Sequence, residues 1–113
     1  MSVGRSGGHR AYMRLGRTIA GGSLDNTILI GDANGSNTRN TNSFFGDGTS
    51  SMASVVTNFL DSPATTSAVT YGLYHADASS GSTNALYINR GAGNDQSYYN
   101  RTASTITLME VSA

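Results

Sequence analysis

An all-β fold is predicted for this 113-residue chain by three observations. Apolar residues recur at period two in short runs. Leu86 and Ile88 alternate with Ala85, Tyr87 and Asn89, and Ile106 and Leu108 alternate with Thr105 and Thr107. Such runs place apolar side chains on one sheet face and polar ones on the other. Gly, Ser, Thr and Asn make up nearly half of the chain. That bias is hostile to helices, since Gly costs about 1 kcal/mol per helical site relative to Ala, and Ser, Asn and Thr prefer caps and turns. Finally, no window carries the i, i+3, i+4, i+7 apolar pattern of a helix over three turns. The expected architecture is an antiparallel β-sandwich of six to seven short strands, with turn signals every dozen or so residues.

Residues 1–8 read as a Gly/Ser/Arg arm without core-forming content, extended or mobile, ahead of a single domain over 9–113. Residues 9–15 alternate, with Ala11, Met13 and Leu15 on one face and Arg10, Tyr12 and Arg14 on the other, until Gly21 and Gly22 break the run. Residues 27–30 form a short strand. A polar loop over 31–42 follows, with Asn34-Gly35 as a tight-turn signal. Residues 43–45 add another short strand. Residues 53–60 carry apolar side chains on both faces, which suits a central or interface strand, and Pro63, the one proline, ends it. Residues 69–76, 85–90 and 104–111 supply the remaining strands, and the last pins the C-terminal end in a sheet.

Composition narrows the function classes. The formal charge is zero, with seven Arg and no Lys against six Asp and one Glu. Zero net charge argues against non-specific nucleic-acid binding. Arg is enriched in protein interfaces where Lys and Glu are depleted, so this surface reads as one meant to be contacted. Arg5, Arg10, Arg14 and Arg17 fall in the first seventeen residues without an acid among them. That stretch is expected to meet acids on a partner protein, with residues 1–8 docking on a neighbouring subunit or on the larger structure that hosts the protein. There is no Cys, hence no disulfide or thiol chemistry. A small domain without disulfides draws on oligomerisation for stability. No apolar run approaches the ~18 residues of a membrane span, and no signal-peptide core follows the start.

Catalytic, cofactor and metal residues are expected to be none. His9 and His75 stand without a nucleophile motif such as G-x-S-x-G. His75 shares a strand face with Val69, Tyr71 and Leu73, where a packed or edge histidine is the plain interpretation. Glu110 is in phase with Ile106 and Leu108 and suits a carboxylate paired with an Arg across a subunit boundary. Asp32, Asn34 and Ser36 have the opening spacing of a calcium loop. Asn37 and Ser43 stand where that loop demands Gly and Glu, so the segment reads as a polar hairpin loop. The glycine pairs Gly46/Gly48 and Gly91/Gly93 precede no helix and so do not make a phosphate cradle. Tyr98 and Tyr99 suit packing or an interface better than a sugar platform.

The segments MRLGRTIAG, ILIGDANGSNTR, NFLDSPATTSAVTYGLYHAD, STNALYINR, YYNR and ASTITLMEV, in that order, resemble a C-terminal β-sandwich family of tailed-phage virion proteins. Members occur as tail-fibre tips and small capsid decoration proteins. The resemblance runs from about residue 11 to residue 111 and carries no catalytic motif. It implies a jelly-roll-like fold, a homotrimer and a place on the virion after synthesis in the host cytoplasm. Family members have several more strands ahead of the counterpart of AYMRLGR, where this chain has only MSVGRSGGH. Either the sandwich is reduced, or a neighbouring chain completes it, or the chain is part of a longer product. Each leaves a sheet edge to cover. The expected function is that of a non-enzymatic capsid decoration or cement subunit. The alternative is a tail-fibre tip or receptor-binding module that recognises a glycan. The expected partners are the chain itself, a major capsid or tail protein and, for the alternative, a host surface glycan; nucleic acid and membrane are not expected.

Overall fold

The computed structural model describes residues 1–5, 9–46, 51–77, 86–91, 93, 97 and 100–111. These residues form seven strands and no helix: β1 (Ser2–Arg5), β2 (His9–Ile19), β3 (Asp25–Leu29), β4 (Asn42–Gly46), β5 (Met52–Ser54), β6 (Val69–Asp77) and β7 (Leu86–Ile88). They build two antiparallel sheets in a sandwich-like, all-β arrangement.

The larger sheet is organised by β2. Its alternating side chains let it be covered on one face and solvated on the other. β6 pairs with it over nine consecutive positions, from Ala11↔Asp77 to Ile19↔Val69. The opposite edge of β2 is shared end to end by two shorter strands. β4 pairs with His9–Met13, and β3 with Leu15 and Arg17 across a register shift. Thr41 bridges the join: its N–H donates to the Met13 carbonyl at 3.0 Å, its hydroxyl accepts from the Leu15 N–H at 2.8 Å, and the same hydroxyl donates to the Leu29 carbonyl. One threonine thus satisfies backbone groups that the shift would orphan.

The smaller sheet has the order β5-β1-β7, with Val3 opposite both Ala53 and Ile88. Its centre is β1, so residues 2–5 do not belong to a mobile arm. Val3 is fully buried and forms the core with Met13 and Val55, flanked by Met1, Phe44, Ala53 and Leu86. The correction has a simple cause. A strand flanked by two others is held by backbone pairing on both edges, which needs only one apolar side chain per face and leaves little trace in composition. Residues 6–8, the rest of the expected arm, lie outside the described residues. Gly4 is required where it stands: a Cβ there would press on the Arg90 carbonyl oxygen and lie 2.9 Å from Gly91 Cα.

Two expected strands differ. The strand expected over 53–60 is confined to Met52–Ser54, and residues 55–60 continue without regular pairing. The strand expected over 104–111 is not formed; the segment has no regular pairing and is exposed apart from Ser104. Alternation specifies which side chains share a face, not which edge supplies the hydrogen bonds, and among the described residues neither 55–60 nor 104–111 forms a ladder with a strand. The tail turns off β7 at Asn89, whose backbone is left-handed (φ 62°) and whose carbonyl accepts from Thr102 N–H at 2.9 Å. Asn tolerates that conformation better than most residues.

The sheets enclose little. The radius of gyration is 16.0 Å, against about 13 Å for a compact chain of this length.

Candidate functional site

Three features stand out once the sheets are in place. The first is polar. Arg17 on β2 faces the loop between β5 and β6 and grips Asp61 through one guanidinium nitrogen, at 2.8 and 2.7 Å from the two carboxylate oxygens. Tyr71, its cross-strand neighbour on β6, donates its hydroxyl to Asp61 at 2.7 Å. The Ser62 N–H adds a fourth hydrogen bond to Asp61 at 2.9 Å. Asp25, opposite Arg17 on β3, stands 3.8 Å from the guanidinium and is itself held by the Thr27 N–H and hydroxyl. Arg17 and Asp61 are less than a fifth exposed.

The cluster sets its own protonation. For Asp61, burial pushes the carboxyl up, but the hydrogen bonds from Tyr71 and Arg17 outweigh it and hold the group below the usual carboxylate value. Tyr71 is raised by donating to Asp61 and by burial. Arg17 is raised above its ordinary value, first by its hydrogen bond to Asp61. Asp25 is lowered chiefly by the Thr27 hydroxyl and N–H. Every group is thereby fixed in its resting charge state, the opposite of a catalytic acid or base poised near neutrality. The cluster clamps the loop over 55–68 onto the sheet.

The second feature is an apolar seam between β6 and β7, the adjacent edges of the two sheets. It is a cleft of about 460 Å³ lined by Met1, Met13, Leu73, Tyr74, His75, Leu86 and Ile88. Leu73 and Ile88 at its mouth are 38% and 48% exposed.

The third is an exposed ribbon. Residues 55–58, Thr105, Thr107 and Met1 line one hollow. Along the two segments Val56, Phe59, Leu60, Ile106, Leu108, Met109 and Val111 are between 39% and 84% exposed. The tail thus borders its own chain through its threonines and turns its apolar row to solvent.

The residues singled out from sequence are scattered among these features. His75 lies on the inner face of β6 at the seam, in the row with Leu73, Tyr71 and Val69. His9 is in β2 opposite Gly46. Glu110 is exposed in the tail. Asp32, Asn34 and Ser36 lie in an exposed loop whose turn is closed by Asn37 N–H to Asn34 carbonyl at 3.1 Å, with Gly35 at φ 54°. Arg39 reaches back to the Gly31 carbonyl at 2.6 Å, and Arg14 donates to the Arg39 carbonyl at 2.9 Å. Among the described residues no group of three or more His, Asp or Glu gathers as a metal site would. Of the Gly-pair motifs, Gly46, Gly91 and Gly93 fall among the described residues and Gly48 outside them; Tyr98 and Tyr99 also lie outside. Sequence reasoning missed the Arg17–Asp61–Tyr71 clamp. Its members are 44 and 10 residues apart along the chain, and Asp61 gave no local signal beyond standing two residues before the proline. No family model, curated protein or solved structure matches this chain.

Proposed function

We propose that the chain is a non-enzymatic structural subunit that assembles with copies of itself, as a trimer, and serves on a tailed-phage virion as a capsid decoration or cement protein. The observation that carries self-assembly is the exposed apolar ribbon. Fully burying a side chain of this size is worth 1.5–3 kcal/mol at ~25 cal/mol per Å², or about 60–120 Å² of apolar surface each. With the exposures found here, the seven ribbon side chains offer on the order of 500 Å². A standard interface covers about 800 Å² per partner, a little over half of it apolar, or about 450 Å². The ribbon is thus of the size that one subunit contributes to a specific contact.

The virion placement is supported by the resemblance of the sequence segments, and a structural role by a polar cluster locked in its resting charges. Two measurements test the proposal. Sedimentation velocity at micromolar concentration is expected to give a trimer, and a stable folded monomer sinks the assembly. Quantification in purified virions is expected to give hundreds of copies; a few dozen or fewer moves the protein to the tail and favours the fibre-tip alternative.

A further inference from the structure

We propose that residues 104–111 of one copy add as a β-strand to the outer edge of β6 in a second copy and close the apolar seam. The contact rests on the self-assembly proposed above and gives it a geometry. β6 spans nine residues, and among the described residues its outer edge pairs with nothing. Exposed edges are normally protected by Lys, Pro, bulges or short length. This one has none of them: its sequence is VTYGLYHAD and its register with β2 is unbroken. The other outer strands are five residues or shorter. Residues 104–111 have the complementary need. They are exposed apart from Ser104, alternate at period two over 105–108, and make no backbone–backbone hydrogen bond among the described residues. At about 3.4 Å per residue the two segments match in length to within one residue.

Their faces match as well. Tyr71, Leu73 and His75 of β6 stand opposite Arg17, Leu15 and Met13 and share the face of the buried Met13, with Leu73 and His75 lining the seam. The tail carries Ile106 and Leu108 in one row and Thr105 and Thr107 in the other. Added at the edge, it places Ile106 and Leu108 beside Leu73, over the seam whose mouth is uncovered. Backbone pairing supplies affinity and the alternate side chains specificity, as in other strand-addition contacts. The tail does not reach that edge in its own copy. Thr102 and Ser104 are both bonded to Asn89, and Thr105 and Thr107 line, with Met1 and residues 55–58, a hollow separate from the seam, whose lining includes no tail residue. A tail-to-edge contact is heterologous: it makes a ring where the rotation between copies closes and a filament where it does not, and the trimer proposed above is the closed case.

Complementation tests this. In one full-length variant Ile106→Asp and Leu108→Asp disable the tail but spare the edge. In the other, Leu73→Lys puts a charge inward at the edge but spares the tail. Each alone is expected to sediment as a folded monomer, about threefold lighter than the wild-type ring. Their 1:1 mixture is expected to form a heterodimer, because one intact tail meets one intact edge and the ring cannot close. A mixture that stays monomeric, or either variant assembling like wild type, overturns the strand exchange even where the wild type is oligomeric. A monomeric wild type instead overturns the self-assembly itself. Should Leu73→Lys fail to fold, the tail-disabled variant is titrated with a synthetic peptide of residues 104–111. Saturable binding, lost when the peptide carries the same two Asp substitutions, supports the contact; no binding overturns it.

Discussion

Val3→Ala is the most direct probe of the fold, because the residue belongs either to the core or to a mobile arm. Val3 is fully buried beside Met13 and Val55. The substitution removes two methyl groups, worth about 0.8 kcal/mol each in transfer free energy. The space they leave adds about 1 kcal/mol at ~24 cal/mol per Å³, less whatever Met1 and Leu86 recover by closing in. The expected loss is about 2–3 kcal/mol. In a domain of this size each kilocalorie moves the midpoint by roughly 3–6 °C, so Tm should fall by about 10 °C. The assay is thermal unfolding by circular dichroism at matched protein concentration, since an assembling protein has a concentration-dependent Tm. Ser54→Ala, at an exposed position opposite Ser2, is the control and should cost less than about 0.5 kcal/mol. A Val3→Ala protein that melts within about 2 °C of wild type would refute the placement of β1 at the centre of its sheet.

Gly4→Ala extends the same logic to the backbone: with the Arg90 carbonyl and Gly91 Cα in the way, it should destabilise by about 1–3 kcal/mol in urea titration, and a neutral result would mean that residues 90 and 91 do not pass against β1 as described. Asp61→Asn should weaken the fold by about 1–2 kcal/mol at pH 7 and leave the loop over 55–68 more sensitive to limited proteolysis than wild type. Its pH dependence follows from the direction of the shift. Asp61 is held below the ordinary carboxylate value of 3.8, so its contribution is fully present above that value and is lost as pH falls through the lower, folded value. Tyr71 is raised above 10.0, so its contribution is present below that pH and is lost as pH rises through the folded value. The difference in Tm between wild type and Asp61→Asn should therefore be flat from about pH 5 to 9 and shrink at both extremes; a difference that peaks near pH 4 would contradict the clamp. Calcium at millimolar concentration should leave Tm where EDTA leaves it, since the Arg39 guanidinium occupies the Gly31 carbonyl inside the loop that carries Asp32; a rise abolished by Asp32→Ala would show a bound cation.

The all-β class, the alternation of β2, the strands near 43–45 and 69–76, and the turn at Asn34-Gly35 are all legible along the chain. Each of these is local: period two, β-branched and aromatic content, and turn chemistry act between residues a few positions apart. Which segments pair is set by how the strands come together in space. Residues 2–5, with one buried side chain, became a central strand because both edges were taken. Residues 104–111, with the clearer alternation, remained unpaired because Thr102 and Ser104 are tied to Asn89 and the segment lies along no strand edge of its own chain. The Arg17–Asp61–Tyr71 clamp depends on bringing together residues from two strands and a loop, a juxtaposition set by the β2–β6 register and invisible to any local pattern. The underfilled seam has the same origin: the amount of apolar surface can be counted along a chain, but where it is left uncovered depends on how the sheets face one another.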